Sequence, residues 1–214
     1  MKVIIFGASG ATGRLTVKKA VQAGHEVTAF VRSRARLMET ASLKGLEVVE
    51  GNVLDISQVK DALAGQDAVI VALGAPGRNK SGIREKGTET IIQGMQSQGL
   101  RRLVCLSTMG IADTRHMPPW MFRNIIVPLF IKDAFRDHEK QEQKVRASGL
   151  DWTLIRPPNL TDEQARGSFH VGFPREWDEL VDKISREDVA SALVEQLEDE
   201  TSWNKAPTVY YPAA

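Results

Sequence analysis

The run Phe6-Gly7-Ala8-Ser9-Gly10-Ala11-Thr12-Gly13 sets three glycines three residues apart, directly after an apolar stretch and directly before an amphipathic one. In that setting the first glycine permits a tight turn, the second lets backbone approach a diphosphate, and the third lets a helix pack closely on a strand. Ser9, Ala11 and Thr12 complete the turn, whose helix N-terminal amides face negative charge. The residue ending the second strand then sorts the two nicotinamide dinucleotides. An acid there bonds a ribose 2′-hydroxyl, whereas a base receives a 2′-phosphate. Here it is Arg32, followed by Arg34 and Arg36, with no Asp or Glu between Phe30 and Met38. The expected cofactor is NADP(H), with Arg32 as the principal discriminator.

Further positions follow the ends of later strand-like runs. Asn52 and Val53 are placed to meet an adenine edge, and Ala72-Leu73-Gly74 to lie against the adenosine and phosphates. Asp55 reads more simply as the cap of a helix starting near Ile56. Ser107 and Thr108 end the fifth run, where a nicotinamide would lie. They are the candidate catalytic pair, orienting the carboxamide or bonding substrate, or else satisfying loop backbone. The only tyrosines, Tyr210 and Tyr211, sit near the C-terminus. No tyrosine therefore precedes a lysine by four residues to exchange a proton with an alcohol, which argues against a conventional alcohol dehydrogenase. Hydride transfer to a conjugated acceptor needs less help, because the acceptor delocalises the charge and solvent supplies the proton.

An aromatic acceptor would need a flat apolar pocket. Met109, Met117, Trp120, Met121, Phe122, Phe169 and Phe173 are candidates for it, or for core; Trp120 and Phe122, after Pro118-Pro119, read as pocket or lid. Pro158 and Asn159 follow the sixth strand and join the substrate side. His138 and Lys140 lie on a charged helix and read as solvated surface or as proton donors. His116 and His170 lack nearby carboxylates at metal-ligand spacing, so no metal is expected. Cys105, inside a strand, reads as inert core.

Positioning these groups calls for an alternating α/β chain. Strand-like runs at Val3 to Phe6, Val27 to Val31, Glu47 to Glu50, Ala68 to Ala72, Leu103 to Leu106, Trp152 to Ile155 and Thr208 to Tyr211 alternate with helical patterns. Alternation predicts a single-domain, doubly wound parallel sheet of about seven strands, ordered 3-2-1-4-5-6-7, spanning residues 1–214. Gly24, Gly99 and Gly149 each close a helical stretch, and Ser185 to Asp188 resembles a capping box. Two irregular segments, 110–135 and 157–182, follow strand ends and are the natural substrate walls.

Composition limits the partners. With 214 residues, 42% hydrophobic, 26% charged and a net charge of +1, the chain reads as one folded domain without the field that holds nucleic acid. One cysteine permits no intrachain disulfide, which fits a cytoplasmic protein. Trp120 to Ile131 is too short to span a bilayer. A monomer is the default expectation.

With these motifs placed, the chain resembles the atypical short-chain dehydrogenase/reductase group of NmrA-like, NAD(P)-binding proteins. Within that group it is most similar to the biliverdin-IXβ reductase and flavin reductase family. The likeness rests on Ile5 to Gly13, the Val31-Arg32 pair, Gly65 to Val71, Ser148-Gly149-Leu150 and Ile184-Ser185. It implies NADPH-dependent hydride transfer to a linear tetrapyrrole, flavin or quinone, with FMN or FAD as substrate rather than tightly bound group. It carries Arg32 and Arg36 over as 2′-phosphate contacts. The family's serine and threonine after the fifth strand stand here in inverse order, so Thr108 takes the serine's place. A family histidine after the Pro-Pro pair is replaced by Asn159, while His138 matches a family histidine. The alternative function is a non-catalytic NADP(H) sensor or assembly factor, which the same turn allows.

Overall fold

A computed structural model of the protein describes residues 1–37, 43–75 and 81–213. Six parallel strands form the central sheet: β1 (Lys2–Phe6), β2 (Glu26–Val31), β3 (Leu46–Glu50), β4 (Ala68–Val71), β5 (Arg102–Leu106) and β6 (Asp151–Ile155). Their order is β3-β2-β1-β4-β5-β6, so the chain reverses direction across the sheet between β1 and β4. That is the doubly wound Rossmann arrangement, and ligands bind such sheets beyond the carboxyl ends at this reversal.

The strands read as continuous apolar runs because both faces are covered. On one face Val3 and Ile5 of β1 pack with α1 (Ala11–Gln22) and α5 (Arg186–Glu195). On the other, Ile4 and Phe6 pack with α2 (Ile56–Leu63), α3 (Ile83–Gln98) and α4 (Lys132–Arg146). The period of two along β1 thus feeds two separate cores. Gly24, Gly99 and Gly149 all take positive φ at the ends of helices, as expected.

The seventh strand is not continuous with the sheet. Residues 205–208 run beside β6 only through the isolated bridges Thr153 to Lys205 and Arg156 to Thr208. Pro207 has no amide to donate into the ladder. Beyond it the chain turns away, and Thr208–Tyr210 pairs antiparallel with His170–Gly172. A further two-strand pairing joins Asn159–Thr161 to Lys183–Ser185. These small sheets build the irregular segment 157–182 into a layer beyond the end of β6.

The Ser185 capping box is half formed. The Asp188 amide donates to Ser185 Oγ at 3.0 Å, but the Ser185 amide donates to the Tyr211 hydroxyl at 3.3 Å. The Asp188 carboxylate instead accepts from the Tyr211 hydroxyl and from the amides of Arg166 and Gly167. Burial alone would raise its pKa, yet these hydrogen bonds hold it below the ordinary carboxylate value. One carboxylate therefore pins the 162–167 loop to the end of α5.

Candidate functional site

The glycine turn is shaped by its own neighbours. Gly7 adopts φ +83°, and a Cβ there would lie 2.3 Å from the Ala72 carbonyl oxygen at the end of β4. A Cβ on Gly13 would lie 2.1 Å from the Gly7 carbonyl oxygen. Gly10 differs: its nearest atom would be Gly7 O at 3.2 Å, and its outer side is open. Gly7 and Gly13 are thus demanded by the chain's own packing, and Gly10 leaves space for something outside it.

Helix α1 starts at Ala11 with Gly10 as its N-terminal cap, so no side chain caps it, and no acid stands in its first turn. The Gly10 amide donates to Gly7 O, and the Arg14 amide to Gly10 O. The amides of Ala11, Thr12 and Gly13 between them have no acceptor among the described residues. Orphan amides at a helix start, combined with the dipole, hold anions. These residues fit a dinucleotide diphosphate.

Arg32 follows β2 directly, and β2 pairs with β1 in the register Phe6 to Phe30. Arg32, Arg34 and Arg36 are exposed, and none forms an ion pair among the described residues. One acid that the linear order hides stands beside them: Glu50, at the end of β3, accepts from the Arg34 amide at 3.2 Å. It ties the arginine turn to the sheet through the Arg34 backbone and not through a guanidinium group.

On the adenine side, Asn52 is locked in a turn, its Oδ1 accepting from the Leu54 amide at 3.1 Å. Asp55 caps α2 through the amides of Ser57 and Gln58, as expected. Val53 and Leu73 pack toward Gly87 of α3, where a Cβ would lie 3.2 Å and 2.7 Å from them. Their side chains are core, so only backbone is presented outward. Ala72 abuts the glycine turn, and Gly74 is exposed beyond it.

The end of β5 is different in kind. Ser107 is buried and its hydroxyl donates to Glu142 Oε1 of α4 at 2.7 Å. Glu142, 2% exposed, is held by Arg156, which is fully buried at the end of β6: Nε lies 2.8 Å from Oε1 and Nη2 2.6 Å from Oε2. Arg156 Nη1 stands 2.8 Å from Asp113 Oδ1. Burial would lower the Arg156 pKa, but its carboxylate partners raise it above the ordinary value, while Arg156 and Arg146 hold Asp113 low against its own burial. Ser107 is therefore committed inward. Thr108, half-buried, donates to the Met109 carbonyl oxygen at 3.2 Å and is the hydroxyl closer to solvent.

The predicted substrate residues come together only in part: Met117 and Phe173 line one cavity with His116 and Thr208, while the others are dispersed. Met109 and Met117 are buried with Leu180 in a small cluster. Phe169 packs on the α1/α5 core. Phe122 meets Phe135 of α4 at 6.2 Å between centroids, whereas Trp120 and Phe173 stand exposed. Pro158 is buried, and Asn159 Nδ2 is spent on the Asp182 carbonyl at 2.9 Å. His138 lies against Gln141, Nδ1 to Oε1 at 3.2 Å, on the α3 side of α4. Burial, then the charge of Arg84, push its pKa down to about 3, so it is neutral at physiological pH and is no reservoir of protons. Lys140 pairs with Glu85 at 3.0 Å. Burial, followed by the Glu142 charge, raises the Cys105 thiol far above its usual value, which leaves it inert.

Known proteins of this shape and sequence are numerous. The UPF0659 protein YMR090W of Saccharomyces cerevisiae is 29% identical over 92% of this chain and 87% of its own length. A (4-alkanoyl-5-oxo-2,5-dihydrofuran-3-yl)methyl phosphate reductase of Streptomyces griseus is 30% identical over 72% of this chain and 46% of its own. The crystal structure of ChuY, an anaerobillin reductase from Escherichia coli O157:H7, superposes with a TM-score of 0.81 at 20% identity. That superposition covers 100% of this chain and 98% of ChuY. The NAD(P)H-binding family model matches residues 7–200, so the chain belongs to that NAD(P)H-binding family of Rossmann proteins.

Proposed function

We propose that the protein is an NADPH-dependent reductase that passes hydride to a flavin, linear tetrapyrrole or quinone. The observation that carries the cofactor choice is the trio of guanidinium groups at the end of β2, unpaired among the described residues, beside three helix amides equally without acceptors there. In this reading Gly7, Ser9, Gly10, Ala11, Thr12 and Gly13 hold the diphosphate and Arg32 with Arg36 the 2′-phosphate. Backbone at Asn52, Val53, Ala72, Leu73 and Gly74 lines the adenosine. The cofactor supplies the hydride, and solvent supplies the proton. Thr108 orients the reacting groups; Ser107 stands behind it as part of the buried ion network.

The reductase names of the Streptomyces relative and of ChuY support the reaction class. Three candidate donors are also out of play: the Ser107 hydroxyl is engaged with Glu142, the Tyr211 hydroxyl with Asp188, and His138 is neutral. An acceptor that carries its own charge by conjugation fits such a site. The test is NADPH oxidation followed with FMN, biliverdin and a short-chain quinone. Turnover with at least one is expected. Tight NADPH binding with no turnover on any of them would overturn the reductase reading in favour of the non-catalytic sensor.

A further inference from the structure

The segment between β5 and α4 forms a wide helix of π type over Phe122–Ile131, and none of its residues is buried. Such a helix bonds five residues back, so positions four and five apart share a face. Met121, Ile125, Ile126, Leu129 and Phe130 follow that spacing, and every one of them is exposed. Leu129 is 66% exposed and Trp120, just before the strip, 65%. Phe122, Val127 and Ile131 are the half-buried residues of the same helix, and Phe122 rests on Phe135 of α4. The outward ridge is thus wholly apolar, and patches of this kind mark interaction surfaces.

Charge decides what covers it. Arg123, Lys132 and Arg136 flank the strip, all exposed and none in an ion pair among the described residues; the half-buried Asp133 is the only acid between residues 120 and 136. A two-fold contact with a second copy would set the helices antiparallel and bring these cations together with little to offset them. An apolar ridge with a tryptophan at one end and basic residues at both is suited to a bilayer interface bearing anionic headgroups. We propose that this helix docks the protein on an anionic lipid surface, with the Met121 to Phe130 strip at the boundary of headgroups and acyl chains. Arg123, Lys132 and Arg136 then meet the phosphates.

Flotation of the full chain with vesicles reads this without any turnover, so its outcome is separate from that of the reductase assay. The protein should float with vesicles of phosphatidylcholine mixed with phosphatidylglycerol. Phosphatidylcholine alone, or high salt, should lower binding by about ten-fold. The double variant Leu129→Glu/Phe130→Glu should lose at least about ten-fold in binding while keeping NADPH affinity and unfolding temperature. Arg123→Ala/Lys132→Ala, which leaves the strip intact, should lose about five-fold per cation on anionic vesicles only. The proposal is overturned if the wild type floats with neither vesicle or if both variants float as well as the wild type. It is also overturned if the wild type is a dimer that Leu129→Glu/Phe130→Glu converts to monomer, which would assign the strip to a second copy.

Discussion

The two halves of the sheet's carboxyl end use their polar groups in opposite ways. Around β1 and β2, the donors point outward: three helix amides and three guanidinium groups have no partner among the described residues. Around β5 and β6, the groups are spent internally, in the chain Ser107, Glu142, Arg156 and Asp113. A ligand that brings phosphates satisfies the first half. Under the proposed function, the second half offers an acceptor shape, apolar surface and Thr108. Under that function, recognition of the cofactor is electrostatic and specific, whereas the acceptor is selected loosely.

The largest effect separates glycines that serve packing from the one that serves the ligand. Gly13→Ala should destabilise by more than about 4 kcal/mol, because its Cβ meets backbone that cannot move aside. Gly10→Ala should cost only about 1 kcal/mol of stability, yet weaken NADPH about ten-fold, since it narrows the open cradle. Thermal unfolding and calorimetric titration of both variants check this. Equal stability losses would erase the distinction.

The buried half is probed next. Glu142→Gln should cost about 3–5 kcal/mol in urea unfolding by leaving Arg156 under-compensated, whereas Glu142→Leu/Arg156→Met should recover most of that loss. No recovery in the double variant would mean the pair does more than balance charge.

A smaller effect concerns His138. Its folded pKa is depressed, so folding favours the neutral ring. The stability this gives is complete above the unfolded value near 6.5 and is lost as pH falls toward about 3. Between pH 6.5 and 4.5, above the range where Asp113 and Asp188 take up protons, stability should decline less steeply in His138→Gln than in the wild type. His25, also lowered by burial first, keeps its own share of the slope in both proteins. Identical slopes would return His138 to the solvated surface.

Much of this comparison is legible in the linear chain, unevenly. The cofactor half is built from local features: a glycine turn, a strand end and a helix start, all set by residues near one another. Its one hidden member, Glu50, acts across neighbouring strands. The acceptor half depends on contacts between elements. Glu142 and Arg156 stand 14 residues apart, on a helix and a strand, and Ser107 reaches Glu142 across 35. An arginine ending the apolar run Trp152-Thr153-Leu154-Ile155 was the available signal, since a charge carried inward needs a counter-charge. The predicted substrate set, apart from Met117 and Phe173 at one cavity, scattered for a related reason. Apolar residues in an irregular segment carry no period, so nothing in their spacing tells Met109, which is core, from Trp120, which is exposed.

The central claim is that the exposed arginines at the end of β2 select the phosphorylated dinucleotide. Calorimetric titration of NADPH and NADH into the wild type and Arg32→Asp tests it directly. The wild type should bind NADPH at least about ten-fold more tightly than NADH, and Arg32→Asp should abolish that margin while leaving NADH nearly unchanged. Equal affinities in the wild type, or a parallel loss of both cofactors in Arg32→Asp, would contradict it.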